Sequence, residues 1–390
     1  MPEGWRVVAL AEITERPNQV DPRRAPLVQF KYVDVSSVSN ETLTIVGWEE
    51  IKGAQAPSRA RKLIEKDDII FATVRPGLKR IAMVPDHLDG EICSTGFCVI
   101  RCVREKADPT YVYFAVTSPE FVESVATHQR GSSYPAVTDR QVVTKQIPFP
   151  PLVEQRRIAR VLSTIQRAIE AQEKVIAAAH ELKRSLMKHL FTYGPVPITE
   201  TSRVPLKETE IGPMPEHWQA VELGEACQVD WGNTSLTKAI YKPIGFPAFS
   251  ATGQDGFLDF HEHEGEAIVL SAIGARCGKC FLATGKWTAI KNTIVMKPVG
   301  AMDIVFLYRF LDDAKRWPKS GTGQPFIALG NARRIKIPYP PVSEQRQIGD
   351  TLRAAGARIE AEEKRKAALQ ALFKTMLHHL MTAKIRVRDL

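Results

Sequence analysis

From residue 158 onward, apolar side chains return at alternating steps of four and three. They are Ile158, Leu162, Ile165 and Ile169, then, past the polar Gln172, Ile176 and Ala179, with Leu182 prolonging the run. That spacing predicts a helix whose narrow apolar stripe is the seam of a coiled coil. The same arrangement returns near the C-terminus as Ile348, Leu352, Ala355 and Ile359. It turns polar through 360–366 and resumes with Leu369, Leu372, Met376 and Leu380. Pro148, Pro150 and Pro151 stop a preceding strand and pre-set the first helix start. Glu154 falls in the first turn, where the helix dipole favours a carboxylate. In the second helix Ser343 is placed to cap and Glu344 follows it. At 1.5 Å per residue each helix spans about 60 Å.

The two helices are copies. IPFPPLVEQRRIARVL begins at residue 147 and IPYPPVSEQRQIGDTL at 337, aligned without a gap at an offset of 190. A second echo pairs MPEGWRVVALAEI at the start with MPEHWQAVELGEA from 214, so Trp5 matches Trp218 and Glu12 matches Glu225. A long unit that occurs twice predicts a pseudo-two-fold molecule rather than a solenoid. The expected order is a variable block at 1–146, a helix at 147–193, a linker at 194–213, a second variable block at 214–336 and a helix at 337–390. Apolar seams on two such helices predict an antiparallel pair. Val161, Val175, Leu186 and Met187 are left over for a further helical partner or for the chain's own domains. The linker carries repeated prolines and no apolar period. The variable blocks read as mixed α/β, with strands at 68–74, 80–84, 96–102, 267–273 and 293–298 and helices near 109–127 and 302–316. They share little sequence beyond their edges and the approach to each helix, GSSYPAVTDRQV at 131 and GTGQPFIALGNA at 321.

Composition narrows the picture only slightly. The 390 residues suffice for two or three domains with cores, and six cysteines without an export signal suggest reduced thiols in a cytoplasm. No apolar run is long enough to cross a bilayer. The net charge of +9 is uneven. The first variable block holds 19 basic against 19 acidic residues and the second 14 against 12, so the excess lies on the helices. Bulk charge is therefore weak support for a nucleic-acid partner, and local clusters matter more.

Catalytic signatures are missing from the sequence. There is no Asn/Asp-Pro-Pro-aromatic tetrapeptide of an amino-methyltransferase and no Gly-x-Gly-x-x-Gly. Gly274-Ala-Arg-Cys-Gly-Lys-Cys280 is one residue short of a P-loop, and Cys280 stands where a Mg²⁺-binding hydroxyl belongs. Cys277-x-x-Cys280 with His261 and His263 could hold zinc, but one such pair is a weak signal, and no metal is expected. Cys93, Cys98 and Cys102 read as core thiols. What remains are basic and polar clusters able to neutralise phosphates or read base edges. In the first block these are Arg59, Arg61, Lys62, Arg75, Lys79, Arg80, Arg130, Ser132, Ser133 and Tyr134. In the second they are Lys238, Tyr241, Lys242, Arg276, Lys279, Lys286, Trp287, Lys291, Asn292, Gln324, Arg333 and Arg334.

The twin Pro-Pro-x-x-Glu-Gln-Arg-x-Ile helices (150–158 and 340–348), the Pro-x-x-Trp openings (2–5 and 215–218) and the Gly-Ser/Thr approach to each helix resemble the specificity subunits of type I restriction–modification systems. The resemblance runs over the whole chain. It implies that the variable blocks are target recognition domains on double-stranded DNA, and that the helices form an antiparallel coiled coil that spaces them and docks two modification subunits. It also implies that the chain has no catalytic residues or cofactor. S-adenosylmethionine would bind the modification subunits, and ATP and Mg²⁺ would serve restriction subunits. Base-reading residues vary within such a family, so no motif assigns them here. A different class of function, a coiled-coil scaffold whose variable domains bind proteins, draws its support from the near-neutral charge of those domains.

Overall fold

A computed structural model describes residues 3–129, 135–321 and 323–387. The chain divides into two compact units, residues 1–173 with 365–390, and residues 174–364. Each unit contains one variable domain, half of the first long helix and half of the second.

The first domain carries two four-stranded sheets. One runs in the order Thr14–Glu15, Phe97–Cys102, Ile69–Ala72, Ile81–Met83, and the other Glu49–Lys52, Gln29–Val33, Ile92–Ser94, Ala60–Leu63. The second domain repeats this order. Its sheets run Cys227–Trp231, Thr293–Pro298, Ala267–Ser271, Cys280–Ala283 and Gly253–Leu258, Phe246–Ser250, Lys286–Ala289, His263–Glu264. The pairing senses agree as well. In both domains the second sheet has one parallel contact, Tyr32 beside Ile92 and Ala248 beside Thr288, between antiparallel neighbours. A further two-stranded ladder closes each domain, Arg6–Ala9 on Gln146–Phe149 and Gln219–Glu222 on Lys336–Tyr339. Two blocks with little sequence in common thus adopt one topology. Alternate-face burial and turn placement define a strand order, and many different apolar residues satisfy both.

The five strands read from sequence are present, four of them slightly shorter than predicted and Thr293–Pro298 at its predicted length. The helix expected at 109–127 is two: α1 (Pro109–Thr117) and α2 (Pro119–Ala126). Pro119 ends the first because it has no amide proton to continue the ladder, and Ser118 caps the second through Phe121 N–H. The linker is not wholly irregular, since Ile198–Arg203 forms a 3₁₀ turn and Leu206–Lys207 pairs with Met214–Pro215.

The long helices are α3 (Leu152–Tyr193) and α5 (Val342–Met381); between them α4 (Ile304–Leu311) is the second domain's counterpart of α1. In the first unit Ile158, Ala159 and Leu162 of α3 share a core with Leu377, Leu380 and Met381 of α5, and Lys366 pairs with Glu173 at 2.9 Å. In the second unit Leu190 shares a core with Ile348 and Leu352, and His180 lies 3.6 Å from Glu363. The start of one helix therefore meets the end of the other in each unit, which is the antiparallel packing expected.

The seam itself needs one correction. Ile158, Leu162, Ile348, Leu352 and Ile359 are buried, and Ile165, Ile169, Ile176, Leu369 and Met376 are partly so. Leu182 is 69% exposed and Leu372 46% exposed, so neither lies in the seam. Strict continuation of the four-three steps from Ala179 and Leu369 reaches Lys183 and Phe373 instead, and Phe373 packs against the first core. Leu182 and Leu372 occupy equivalent repeat positions on an outward stripe. On α3 it includes exposed Val175 and Ala178, and on α5 exposed Ala357, Ala361 and Ala368. Val161 joins the first core, while Leu186 and Met187 join the second.

The Glu-Gln pair of each helix start explains how a domain is mounted. Gln155 and Gln345 are fully buried. The Gln155 amide oxygen accepts from Asp108 N–H at 2.9 Å, and its nitrogen donates to Pro150 O at 2.8 Å. Gln345 does the same with Asp303 N–H (2.7 Å) and Pro340 O (2.8 Å). Asp108 and Asp303 in turn cap α1 and α4 through Tyr111 N–H and Phe306 N–H. The neighbouring glutamate holds the opening tryptophan: Trp5 Nε1–H donates to Glu154 (3.1 Å) and Trp218 Nε1–H to Glu344 (2.9 Å). Where α4 crosses α5, a Cβ on Gly349 would stand 3.1 Å from Asp303 Oδ1, so a residue costly to helix propensity allows the close approach.

Candidate nucleic-acid interface

In both domains the strand-exit loop is fastened to the segment that approaches the long helix. Arg75 N–H donates to Pro135 O at 2.7 Å, Val74 bridges Ala136, and Val137 N–H donates to Thr73 O. In the second domain Gly274 N–H donates to Pro325 O at 3.0 Å, Ile273 bridges Phe326, and Ile327 N–H donates to Ala272 O. Loops 75–80 and 274–279 are thus fixed next to 135–137 and 325–327. Arg130, Ser132, Ser133 and Tyr134 lie outside the described residues.

The first of these loops is strained. Arg75 (φ 50°) and Lys79 (φ 55°) flank the turn Pro76–Leu78 in left-handed conformations that a non-glycine residue adopts at a cost. Arg75 and Leu78 are exposed and Lys79 half-buried. Arg59 is exposed on the loop before its strand. Other first-domain residues singled out by sequence serve the fold. Lys62 is buried, bonding Phe97 O at 2.5 Å and pairing with Asp139, so its charge is neutralised inside. Arg80 donates to Val35 O, Ser36 O and Val38 O, which ties down that loop, and Arg61 pairs with Asp21 at 3.0 Å. Sequence reasoning missed Lys31, whose ammonium sits 5.5 Å from the ring centre of Trp48 and donates to His87 O. Trp48 is 40% exposed and lies 5.1 Å from the His87 ring. A tryptophan set beside the acidic pair Glu49 and Glu50 was the available signal.

In the second domain five predicted residues gather around one turn. Lys238 and Tyr241 both bond Asp255, and Arg276 donates to Thr252 O at 2.8 Å. Lys238, Lys291 and Asn292 line a cavity of about 350 Å³ with Thr237 and Ser250. Asn292 is left-handed (φ 69°). Burial opposes ionisation of Asp255, but donation from Lys238, Thr252, Ser250 and Tyr241 outweighs it and holds the carboxyl at about 2. Burial, with the Asp255 carboxylate beside it, pushes the Tyr241 phenol up. The cluster is a cross-bonded polar surface with exposed Lys291 and Arg276.

The remaining second-domain residues make none of these contacts. Trp287 is fully buried with Nε1–H on Gly265 O, so it belongs to the core. Lys279 pairs with Asp312, and Arg333 with Val229 O and Asp230, while both side chains remain about half exposed. Arg334 bonds Asn331, while Lys242, Lys286 and Gln324 are exposed. All six cysteines are free and buried. Cys277 and Cys280 place Sγ 3.4 Å from Ala272 O and Leu311 O, and burial raises both thiols. Among the described residues no three His, Cys, Asp or Glu side chains converge as a metal-binding group, and no helix is long and apolar enough to cross a membrane.

Comparison with known proteins places this geometry. The family described as type I restriction modification DNA specificity domain matches residues 2–179 and 215–371, one copy for each variable domain and its helix. A putative type I restriction enzyme MjaX specificity subunit from Methanocaldococcus jannaschii is 24% identical, with 100% of this chain and 95% of that protein aligned. Among solved structures, a chain from a study of complex assembly and conformational transition of the type I R-M system superposes with a TM-score of 0.62. It is 29% identical and covers 100% of this chain and 99% of its own. The HsdS subunit from Thermoanaerobacter tengcongensis superposes at 0.50, also 29% identical, covering 100% and 98%.

Proposed function

The chain belongs to the type I restriction modification DNA specificity family and has the role of a DNA sequence-specificity subunit, and we propose that it reads a bipartite, asymmetric duplex target. Each variable domain contacts one half-site. The paired helices act as a spacer, so that an unread gap separates the halves. One observation carries this reading: two domains share strand order and mount, yet present unlike polar loops, Arg75–Lys79 in one and the Lys238–Arg276–Asn292 cluster in the other. Equal scaffolds with unequal loops suit two different short sequences.

The chain is non-catalytic in this reading. Two adenine-methylating subunits dock on the outward stripes of α3 and α5 and carry S-adenosylmethionine. Restriction subunits carry ATP and Mg²⁺, and the assembly works in the cytoplasm. Exposed Val175, Leu182 and Leu372 support helical partners, because apolar residues at heptad spacing on a water-facing stripe gain from being covered.

Methylome sequencing of a host carrying only this chain and its modification partner tests the proposal. The expected motif is split, and lengthening α3 and α5 by the same few residues widens the gap while leaving both halves unchanged. A contiguous motif contradicts the spacer. The protein-binding alternative predicts that the assembled complex retains no DNA even at low salt, whereas phosphate-contacting domains bind with strong salt dependence.

A further inference from the structure

A cavity of about 270 Å³ in the second unit has no counterpart function in the DNA reading. It opens between the last turns of α3 and the end of α4. Met187, Phe191 and Phe310 supply apolar wall, Arg184, Lys188 and Arg316 supply positive charge, and Asp313 supplies the one carboxylate, so the lining keeps an excess of positive charge. Arg316 is held with its guanidinium 4.0 Å from the centre of the Phe310 ring. Its Nε–H is buried and has no hydrogen-bond partner, and its one carboxylate neighbour, Asp313, stands off at 3.7 Å. Buried donors are nearly always satisfied, so an orphaned guanidinium N–H beside a cavity marks a missing acceptor. Burial also lowers the Arg316 pKa, the sign of a charge short of compensation.

The internal repeat shows what can fill such a place. Lys188 corresponds to His378 at the offset of 190. In the first unit His378 already holds a carboxylate, with Glu120 Oε1 at 3.2 Å from Nδ1. At the matching helix position in the second unit the chain supplies a lysine, a neighbouring unsatisfied arginine and an open cavity.

We propose that this cavity receives an acidic side chain from the modification subunit that docks on the second half of the helix pair. An Asp or Glu carboxylate would accept from Arg316 Nε–H and pair with Lys188, with an apolar neighbour seated against Phe191 and Phe310. A protein occupant is favoured over a free anion because the wall is largely apolar and the same stretch of α3 exposes Val175, Ala178 and Leu182. The proposal rests on helix docking of modification subunits.

Titration of the purified modification subunit into this chain, followed by native mass spectrometry, separates the two ideas. Wild type takes up two copies. Arg316→Met and Lys188→Ala each weaken one of the two binding steps by about tenfold or more, as expected when one partner of a desolvated charge pair is truncated. They leave the other step unchanged, and Arg316→Lys falls between. Lys188 is exposed on α3, so its variant keeps the test valid if Arg316→Met does not fold. Two unchanged binding steps in folded variants overturn the cavity but leave docking intact. No uptake by wild type overturns both. A rise in melting temperature of the free chain with millimolar inorganic phosphate, lost in Arg316→Met, identifies a small-anion site and overturns the protein occupant.

Discussion

The two units share a mount and differ in what locks it. Trp–Glu and Gln–Asp contacts recur with distances equal to within a few tenths of an ångström. In the first unit, however, Glu154 is gripped by Arg386 from the C-terminal tail, at 2.6 and 2.8 Å, and Arg386 also reaches Glu3 O. In the second, Glu344 takes His217 at 2.8 Å, and Gly194 at the end of α3 lies against Trp218. The tail beyond α5 thus returns to the start of the first domain as the segment beyond α3 returns to the second. The buried bonds that fix a domain to its helix are the same in both copies, while the partner that locks the glutamate differs, largely buried in the first unit and half-exposed in the second. The lesson is that identity between repeats marks attachment, while difference marks either reading or local improvisation.

The largest effect belongs to the buried glutamines. Gln155→Leu and Gln345→Leu each strand one donor and one acceptor, so each should lower the stability of its own unit by about 2–5 kcal/mol. Calorimetry that resolves two transitions should show one moving in each variant; unequal shifts would mean the mounts are not equivalent. Next, Arg386→Ala removes a bidentate, largely buried pair and should cost the first unit about 1–3 kcal/mol. His217→Ala breaks a half-exposed contact and should cost the second about 0.5 kcal/mol or less. Equal losses would contradict the asymmetry of the locks.

Acid should separate the two reading domains more gently. The folded Asp255 carboxyl sits near 2 against an ordinary 3.8, so it binds fewer protons folded than unfolded between those values. Its contribution is complete above about pH 4 and is lost as pH falls toward 2. A melting curve against pH should show the second domain's transition falling over that window, and Asp255→Asn should flatten the fall. The smallest effect concerns α5. Helix propensity alone predicts that Gly349→Ala gains about 1 kcal/mol. Contact with Asp303 Oδ1 should cancel that gain, whereas Ala159→Gly at the matching position of α3 should lose about 1 kcal/mol. A stabilised Gly349→Ala would show that the close approach carries no constraint.

The architecture was largely legible because its determinants are periodic and duplicated. Four-three spacing gave α3 and α5, the shared offset gave the antiparallel pairing, and the tryptophans marked the domain starts. Leu182 and Leu372 depart from the expected seam because they lie off the four-three register, on an outward stripe that is also apolar. Shared topology of the variable blocks was not legible, since strand order leaves no common residue signature across unlike sequences. At the interface, residue type could not separate a surface cation from an internal tie. Lys62, Arg80 and Trp287 have the chemistry of nucleic-acid contacts, but their partners, Asp139, the 35–38 carbonyls and Gly265 O, lie 22 or more residues away in sequence. Gln155 and Gln345 were visible as a motif, yet their role needed the capping carboxylates of α1 and α4.

Exchanging residues 214–336 for the corresponding domain of a relative and sequencing the methylome asks whether one mount carries two independent readers. One half of the motif should change while the other half and the gap stay fixed. Simultaneous change of both halves, or loss of the split motif, would contradict it.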